Sequence, residues 1–125
     1  MREIKFRGKR LDNGEWVLGD LHLNTPYPHI HFGFGNRAKI DPDTIGQFTG
    51  LLDKNGKEIY EGDIIIEKLR RARKDGERLV ICFDDFEYDG KNANGATTSL
   101  SLLVEYHTIE VIGNIHDNPE LLKTE

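Results

Sequence analysis

Ile59-Tyr60-Glu61-Gly62-Asp63-Ile64-Ile65-Ile66 is the stretch on which the fold turns. Glycine at position 62 accepts backbone geometry that other residues resist, and Asp63 can bond nearby backbone N–H groups in a turn. The three isoleucines after it form a fully apolar run, suited to a strand buried on both faces. Just before the stretch lies Asp53-Lys54-Asn55-Gly56-Lys57, whose Asn-Gly pair is a strong hairpin signal. Thr44 to Leu52 therefore reads as one strand, and Glu58-Ile59-Tyr60 as its partner across the turn.

Working outward, Leu79–Phe83, Ser99–Tyr106 and Thr108–Ile115 read as further strands. Asp84–Thr98, rich in Asp, Asn and Gly, reads as a long exposed loop around Phe86 and Tyr88. Asn118-Pro119-Glu120-Leu121-Leu122 has a capping residue, then Pro and Glu at the positions a helix start favours. Toward the N-terminus, Ile4-Lys5-Phe6-Arg7 alternates apolar and basic, and Glu15–Leu23 is a second strand-like run. Asn13-Gly14 lies between them, so residues 3–23 read as a hairpin with Lys5, Arg7 and Lys9 on one face. Pro26, Pro28 and Pro42 interrupt residues 24–43, where Ile30–Phe34 reads as a short edge strand or flap. Twelve Ile against four Ala lean the composition toward β structure. The expected fold is mostly β. An N-terminal β-hairpin or arm with a loop region occupies residues 1–43, and a small five-stranded barrel with a short C-terminal helix occupies residues 44–125; the two could also intertwine as one domain.

Charge narrows the function. Seventeen Lys and Arg against twenty-two Asp and Glu give −5, which argues against a strongly basic nucleic-acid binder. The distribution is uneven, however: residues 1–10 net +4, 67–78 net +3 and 82–125 net −7. Such asymmetry suits self-association as well as an anionic partner. The segment 67–78 is the candidate nucleic-acid contact, through Lys68, Arg70, Arg71, Arg73, Lys74 and Arg78, beside the aromatics Tyr27, Phe32 and Phe34. The single cysteine, Cys82, lies in an apolar run and reads as a structural thiol; with no partner cysteine, an intrachain disulfide is excluded. No apolar stretch approaches the length of a membrane span, and no signal-peptide pattern is visible, so the expected compartment is the cytoplasm.

Catalytic chemistry is poorly marked. There is no Gly-x-Ser-x-Gly elbow, and Gly33-Phe34-Gly35-Asn36-Arg37 lacks the ending of a phosphate loop. His29-Ile30-His31 puts two imidazoles on one strand face, with His22, His107 and His116 elsewhere, but a metal site needs three or four convergent ligands and the pattern supplies two. Asp84, Asp85, Glu87 and Asp89 cluster without calcium-hand spacing. No catalytic residue, metal or cofactor is therefore expected; a small metal-dependent hydrolase using His29, His31 and a carboxylate is the outlying reading.

Ile4–Arg7, Gln47-Phe48-Thr49-Gly50-Leu51 with Asp53 and Gly56, Ile59-Tyr60-Glu61-Gly62-Asp63-Ile64, and Val111-Ile112-Gly113-Asn114-Ile115 to Asn118–Leu121 form a set of blocks. Together they closely resemble the YopX family of phage and prophage proteins in bacteria. The resemblance spans the chain and implies a mostly β protein with an SH3-like barrel in its second half, oligomeric, in a bacterial host. It implies no reaction. Gln47, Phe48, Thr49, Gly50, Tyr60, Glu61, Gly62, Asp63, Gly113 and Asn114 read as structural, with a bulge or close backbone approach at Gly113-Asn114. Two functions stay open: a non-enzymatic binding protein that assembles as a homo-oligomer, and a nucleic-acid accessory protein using segment 67–78 and the first strand.

Overall fold

The computed structural model describes residues 3–23, 26–68, 76–84 and 86–122. They form two antiparallel sheets and one short α-helix. The strands are β1 (Phe6–Lys9), β2 (Trp16–His22), β3 (His29–Phe32), β4 (Asn36–Lys39), β5 (Gly46–Leu52), β6 (Glu58–Tyr60), β7 (Asp63–Glu67), β8 (Arg78–Asp84), β9 (Glu87–Lys91), β10 (Thr97–Ser99) and β11 (Ile109–Asn114). The helix α1 spans Leu100–Tyr106, and short 3-10 turns occupy Pro42–Thr44 and Pro119–Leu122. Neither sheet closes into a barrel among the described residues. No described helix is long and apolar enough to cross a membrane. The chain divides into two units, Met1–Gly50 and Leu51–Glu125.

In the first unit the strands run β4-β3-β2-β1-β5. The hairpin expected over 3–23 is present, with Phe6 opposite Gly19 and Lys9 opposite Trp16, and Gly14 in the turn at φ 73°. It is not a separate arm: it is the centre of the sheet, because β1 also pairs with β5 and β2 with β3. The segment read as an edge strand or flap is a second full hairpin, β3 to β4. Gly33 and Gly35, both at positive φ, make its turn, so these glycines close the hairpin and leave the strands intact. One face of the sheet is apolar. Ile30, Ala38 and Ile40 are buried there against Phe6, Val17, Leu21, Phe32 and Ile45. Gly8 and Gly19 permit close approach: a Cβ at Gly8 would strike Ile40, and one at Gly19 would strike the His31 carbonyl oxygen.

The second unit holds the sheet β10-β9-β8-β7-β11. Ile59, Ile65, Leu79, Ile81, Tyr88, Leu100, Leu103, Ile109 and Val111 form its core. Asp63, almost fully buried, accepts the Tyr60 N–H at 2.8 Å, while Gly62 takes φ 88° and donates to the Ile81 carbonyl. Asp53 fastens the neighbouring turn. Its Oδ1 accepts the N–H groups of Asn55 and Lys57, and its Oδ2 accepts that of Val111 in β11. The β11–β7 register shifts between Val111 and Gly113, where Gly113 lies close against Asn118.

Two expectations fail in this unit. The stretch 84–98 is not a long loop. It holds β9 and β10, joined to β8 by a tight turn in which Asp84 pairs with Glu87. Tyr88 and Asp89 are buried, and Gly90 lets Leu79 and Leu103 pack on the strand. Residues 99–106 are not a strand but mostly helix. Leu100 and Leu103 are buried with Val104 packed beside them, the i, i+3, i+4 pattern of a helix face.

Candidate functional site

Among the described residues, the face of the first sheet opposite the apolar core carries a dense group of charged, aromatic and imidazole side chains. In a strand, alternate residues share a face. The register places Arg7 opposite Leu18, Lys9 opposite Trp16, Asp20 opposite His31 and His22 opposite His29. It also places His31 opposite Arg37 and His29 opposite Lys39. Two rows of three residues therefore cross β2, β3 and β4: Asp20-His31-Arg37 and His22-His29-Lys39. Asp20, His31, Arg37 and Lys39 are exposed, while His22 and His29 are half-buried.

Local contacts order this face. The Arg7 guanidinium lies 4.7 Å and the Lys9 ammonium 5.4 Å from the centre of the Trp16 ring, so two cations of β1 contact the indole. Such contacts are worth about 0.5–1 kcal/mol each at exposed positions. The Lys39 ammonium lies 5.1 Å from the Tyr27 ring. The His29 ring nitrogen Nδ1 is 2.8 Å from the Tyr27 carbonyl. The rings of His22 and His31 stack with centroids 3.9 Å apart, tilted by 33°. Loss of water around His31 and the neighbouring His22, Arg37 and His29 hold its imidazole below the usual value, against the smaller opposing pull of Asp20. The face thus brings together cations, aromatic rings and three imidazoles.

Sequence reasoning put weight elsewhere. Arg70, Arg71, Arg73 and Lys74 lie outside the described residues. Lys68 is ion-paired with Glu110 at 3.5 Å. Arg78 donates to the Leu121 carbonyl at 2.6 Å and borders an open cleft of about 1400 Å³ with Lys91, Asn92 and Leu122. Of the aromatics expected beside the basic segment, Phe34 is fully exposed at the β3–β4 tip and Tyr27 partly exposed, whereas Phe32 packs toward the core of the first unit. The pair His29 and His31 does share a face, but no three His, Cys, Asp or Glu side chains come together to hold a metal among the described residues. Of the acidic cluster, Asp89 is buried in β9 while Asp84 and Glu87 stay exposed at the turn. Cys82 is half-buried, and burial followed by nearby Asp89 pushes its thiol upward, away from a nucleophile's range. The motif residues Phe48, Thr49, Tyr60 and Asp63 are buried. Gly50 and Gly62 take positive φ, Gln47 pairs with Phe6, and Asn114 caps the following turn through the N–H groups of His116 and Asp117.

The missed element is the basic-aromatic face. Its signal was the alternation of His22, His29, His31, Arg37 and Lys39 with core residues, which points to one face only once the β2–β3–β4 pairing is known.

Known proteins place the chain. The crystal structure of protein EF1440 from Enterococcus faecalis matches 98% of this chain and 100% of that chain, with a TM-score of 0.63 and 24% identity, which shows a shared fold. No curated protein matches the chain. The family model described as YopX protein matches residues 5–123, and the chain belongs to the YopX family.

Proposed function

We propose that this is a non-enzymatic binding protein whose first sheet receives a single-stranded nucleic acid across its outer face. The observation that carries the reading is Trp16 with Arg7 and Lys9 beside its ring, on the same face as Arg37 and Lys39. Bases can stack on aromatic rings while cations follow the backbone. Asp20 shares this face, and Glu3 is ion-paired with Lys5. Segment 67–78 supplies a second set of phosphate contacts in this reading. Phage or prophage origin and action in the bacterial cytoplasm complete it, in keeping with the family resemblance.

The test is fluorescence anisotropy with labelled single-stranded DNA, duplex DNA and RNA, at low and near-physiological salt. Single strands bind best, and affinity falls with salt. Four phosphate contacts give a slope of log K against log salt of about −3. Arg37→Glu with Lys39→Glu removes most of the binding. Absence of binding at low salt overturns the reading.

A second reading, homo-oligomer formation, is favoured by charge. Residues 1–50 hold seven basic against six acidic side chains, and residues 51–125 hold ten against sixteen. The tip of the β8–β9 turn also presents Phe86, almost fully exposed and at φ 70°, beside Asp84 and Glu87. An exposed aromatic at a strained position in an acidic tip suits docking on the basic face of another copy. Light scattering checks this against the 14.3 kDa monomer. An SH3-like arrangement of the second unit belongs to the same proposal, in keeping with the family resemblance.

A further inference from the structure

We propose that His22, His31 and Arg37 form a phosphate subsite that takes up a proton when it fills. This rests on the reading of the first sheet as a nucleic-acid face and assigns the His22–His31 stack a role within it.

Two stacked imidazoles are an expensive place for positive charge. With ring centroids 3.9 Å apart, protonating one penalises protonating the other. Every strand beside the stack adds to the local field. On β2 stands Asp20, which faces His31, and on β3 stands His29, which faces His22. On β4 stand Arg37, opposite His31, and Lys39, opposite His29. In these two rows one carboxylate stands with two permanent cations and three imidazoles, a balance that disfavours added positive charge. The lowered His31 value agrees with this balance.

A phosphate oxygen set at the N–H edges of the two rings reverses the balance. It accepts a hydrogen bond from an N–H of each ring, one of the two rings being imidazolium, and from the Arg37 fork, which matches phosphate geometry. The anion offsets the cost of added positive charge beside Arg37 and Lys39, so filling the site and gaining a proton are linked. The second row, His22-His29-Lys39, lies two residues along the strands, about 6.7 Å away at 3.3–3.4 Å per residue. That distance is comparable with the spacing of successive phosphates on an extended strand.

The sign follows from linkage. Phosphate raises the imidazole values, so affinity grows as pH falls through the bound-state value and levels off below the free-state value. Uptake of one proton gives about tenfold per pH unit inside that window.

The experiment has two arms on the full chain. In the first, the imidazole resonances are titrated by NMR with pH, with and without inorganic phosphate, chloride balancing ionic strength. His22 and His31 move upward with phosphate, while His107, bonded to Glu67, serves as the internal control. Arg37→Ala reduces the response. Imidazoles that ignore phosphate, or that move no more than His107, overturn the subsite. In the second arm, anisotropy with single-stranded DNA is followed from pH 8 to 5.5 at fixed ionic strength. Wild type tightens as pH falls, and His22→Gln with His31→Gln flattens the slope while keeping the salt dependence. Binding that depends on salt but not on pH overturns the subsite and leaves the nucleic-acid reading standing. Imidazoles that answer phosphate in a protein that binds no strand keep the subsite and remove that reading.

Discussion

Replacing Asp53 by Ala removes three hydrogen bonds with one substitution. The carboxylate accepts the N–H groups of Asn55 at 2.8 Å, Lys57 at 2.9 Å and Val111 at 2.9 Å. The three losses are unequal. The Val111 N–H lies inside the unit, and an orphaned buried donor costs about 1–3 kcal/mol. Asn55 and Lys57 sit in an exposed turn where water can take over, so each loses about 0.5–1 kcal/mol. The total is about 2–5 kcal/mol, a large share of the roughly 5–15 kcal/mol available to a domain. Urea unfolding reads it as a lower midpoint at unchanged slope. The acid limb gives a second check. Burial pushes the Asp53 carboxyl up, but the N–H donors of Val111, Lys57 and Asn55 outweigh it, and its value lies below the ordinary 3.8. A carboxyl lowered on folding stabilises fully above its unfolded value, and that contribution is lost as pH falls through the folded value. The gap between wild type and Asp53→Ala is therefore widest at neutral pH and narrows below about pH 4. A cost under about 1 kcal/mol at neutral pH, or a gap that widens in acid, refutes the clamp.

Gly19→Ala drives a Cβ into the His31 carbonyl oxygen and costs about 1–3 kcal/mol or more through a displaced β2–β3 pairing; thermal melting followed by circular dichroism detects it. Ile65→Ala, at a fully buried position, costs about 2–5 kcal/mol, whereas Phe34→Ala at the exposed tip stays within about 0.5 kcal/mol in the same denaturation series. Cys82 reacts slowly with iodoacetamide at neutral pH and faster as pH rises well above 9, because its thiol is held above the ordinary 9.0; mass spectrometry of timed samples follows the adduct.

The segments legible from sequence are those where one pattern had no rival. Asn13-Gly14 and Asn55-Gly56 require positive φ, and each glycine takes it, at 73° and 80°. Ile64-Ile65-Ile66 is apolar throughout and becomes a strand buried on both faces. The misread segments obey two patterns at once. Leu100, Leu102, Val104 and Tyr106 alternate as a strand would, while Leu100, Leu103 and Val104 have helical spacing. Packing decides between them: Leu100 and Leu103 are buried, and Leu102 and Tyr106 remain about half exposed or more. Likewise Glu87-Tyr88-Asp89-Gly90-Lys91 has poor strand composition, yet it lies between β8 and β10 with Leu79 and Leu103 packed on Gly90. Tertiary pairing supplies what local propensity lacks.

The same distinction explains the site. A run of charge such as 67–78 is visible because its residues are adjacent in sequence, and adjacency shows nothing of what those charges meet; Lys68 meets Glu110. Charges that act together across strands are dispersed in sequence. Arg7, Lys9, Trp16, His22, His31 and Arg37 span thirty-one residues and are joined by pairing register alone. A one-residue slip of β3 would move His29 and His31 to the core side and bring Ile30 out. Complete burial of Ile30 between them opposes that slip, so the apolar core of the first unit fixes the register and thereby holds the histidines and cations on one face. Changes to that core should therefore weaken the proposed strand binding, read by the same anisotropy assay, without touching any residue of that face.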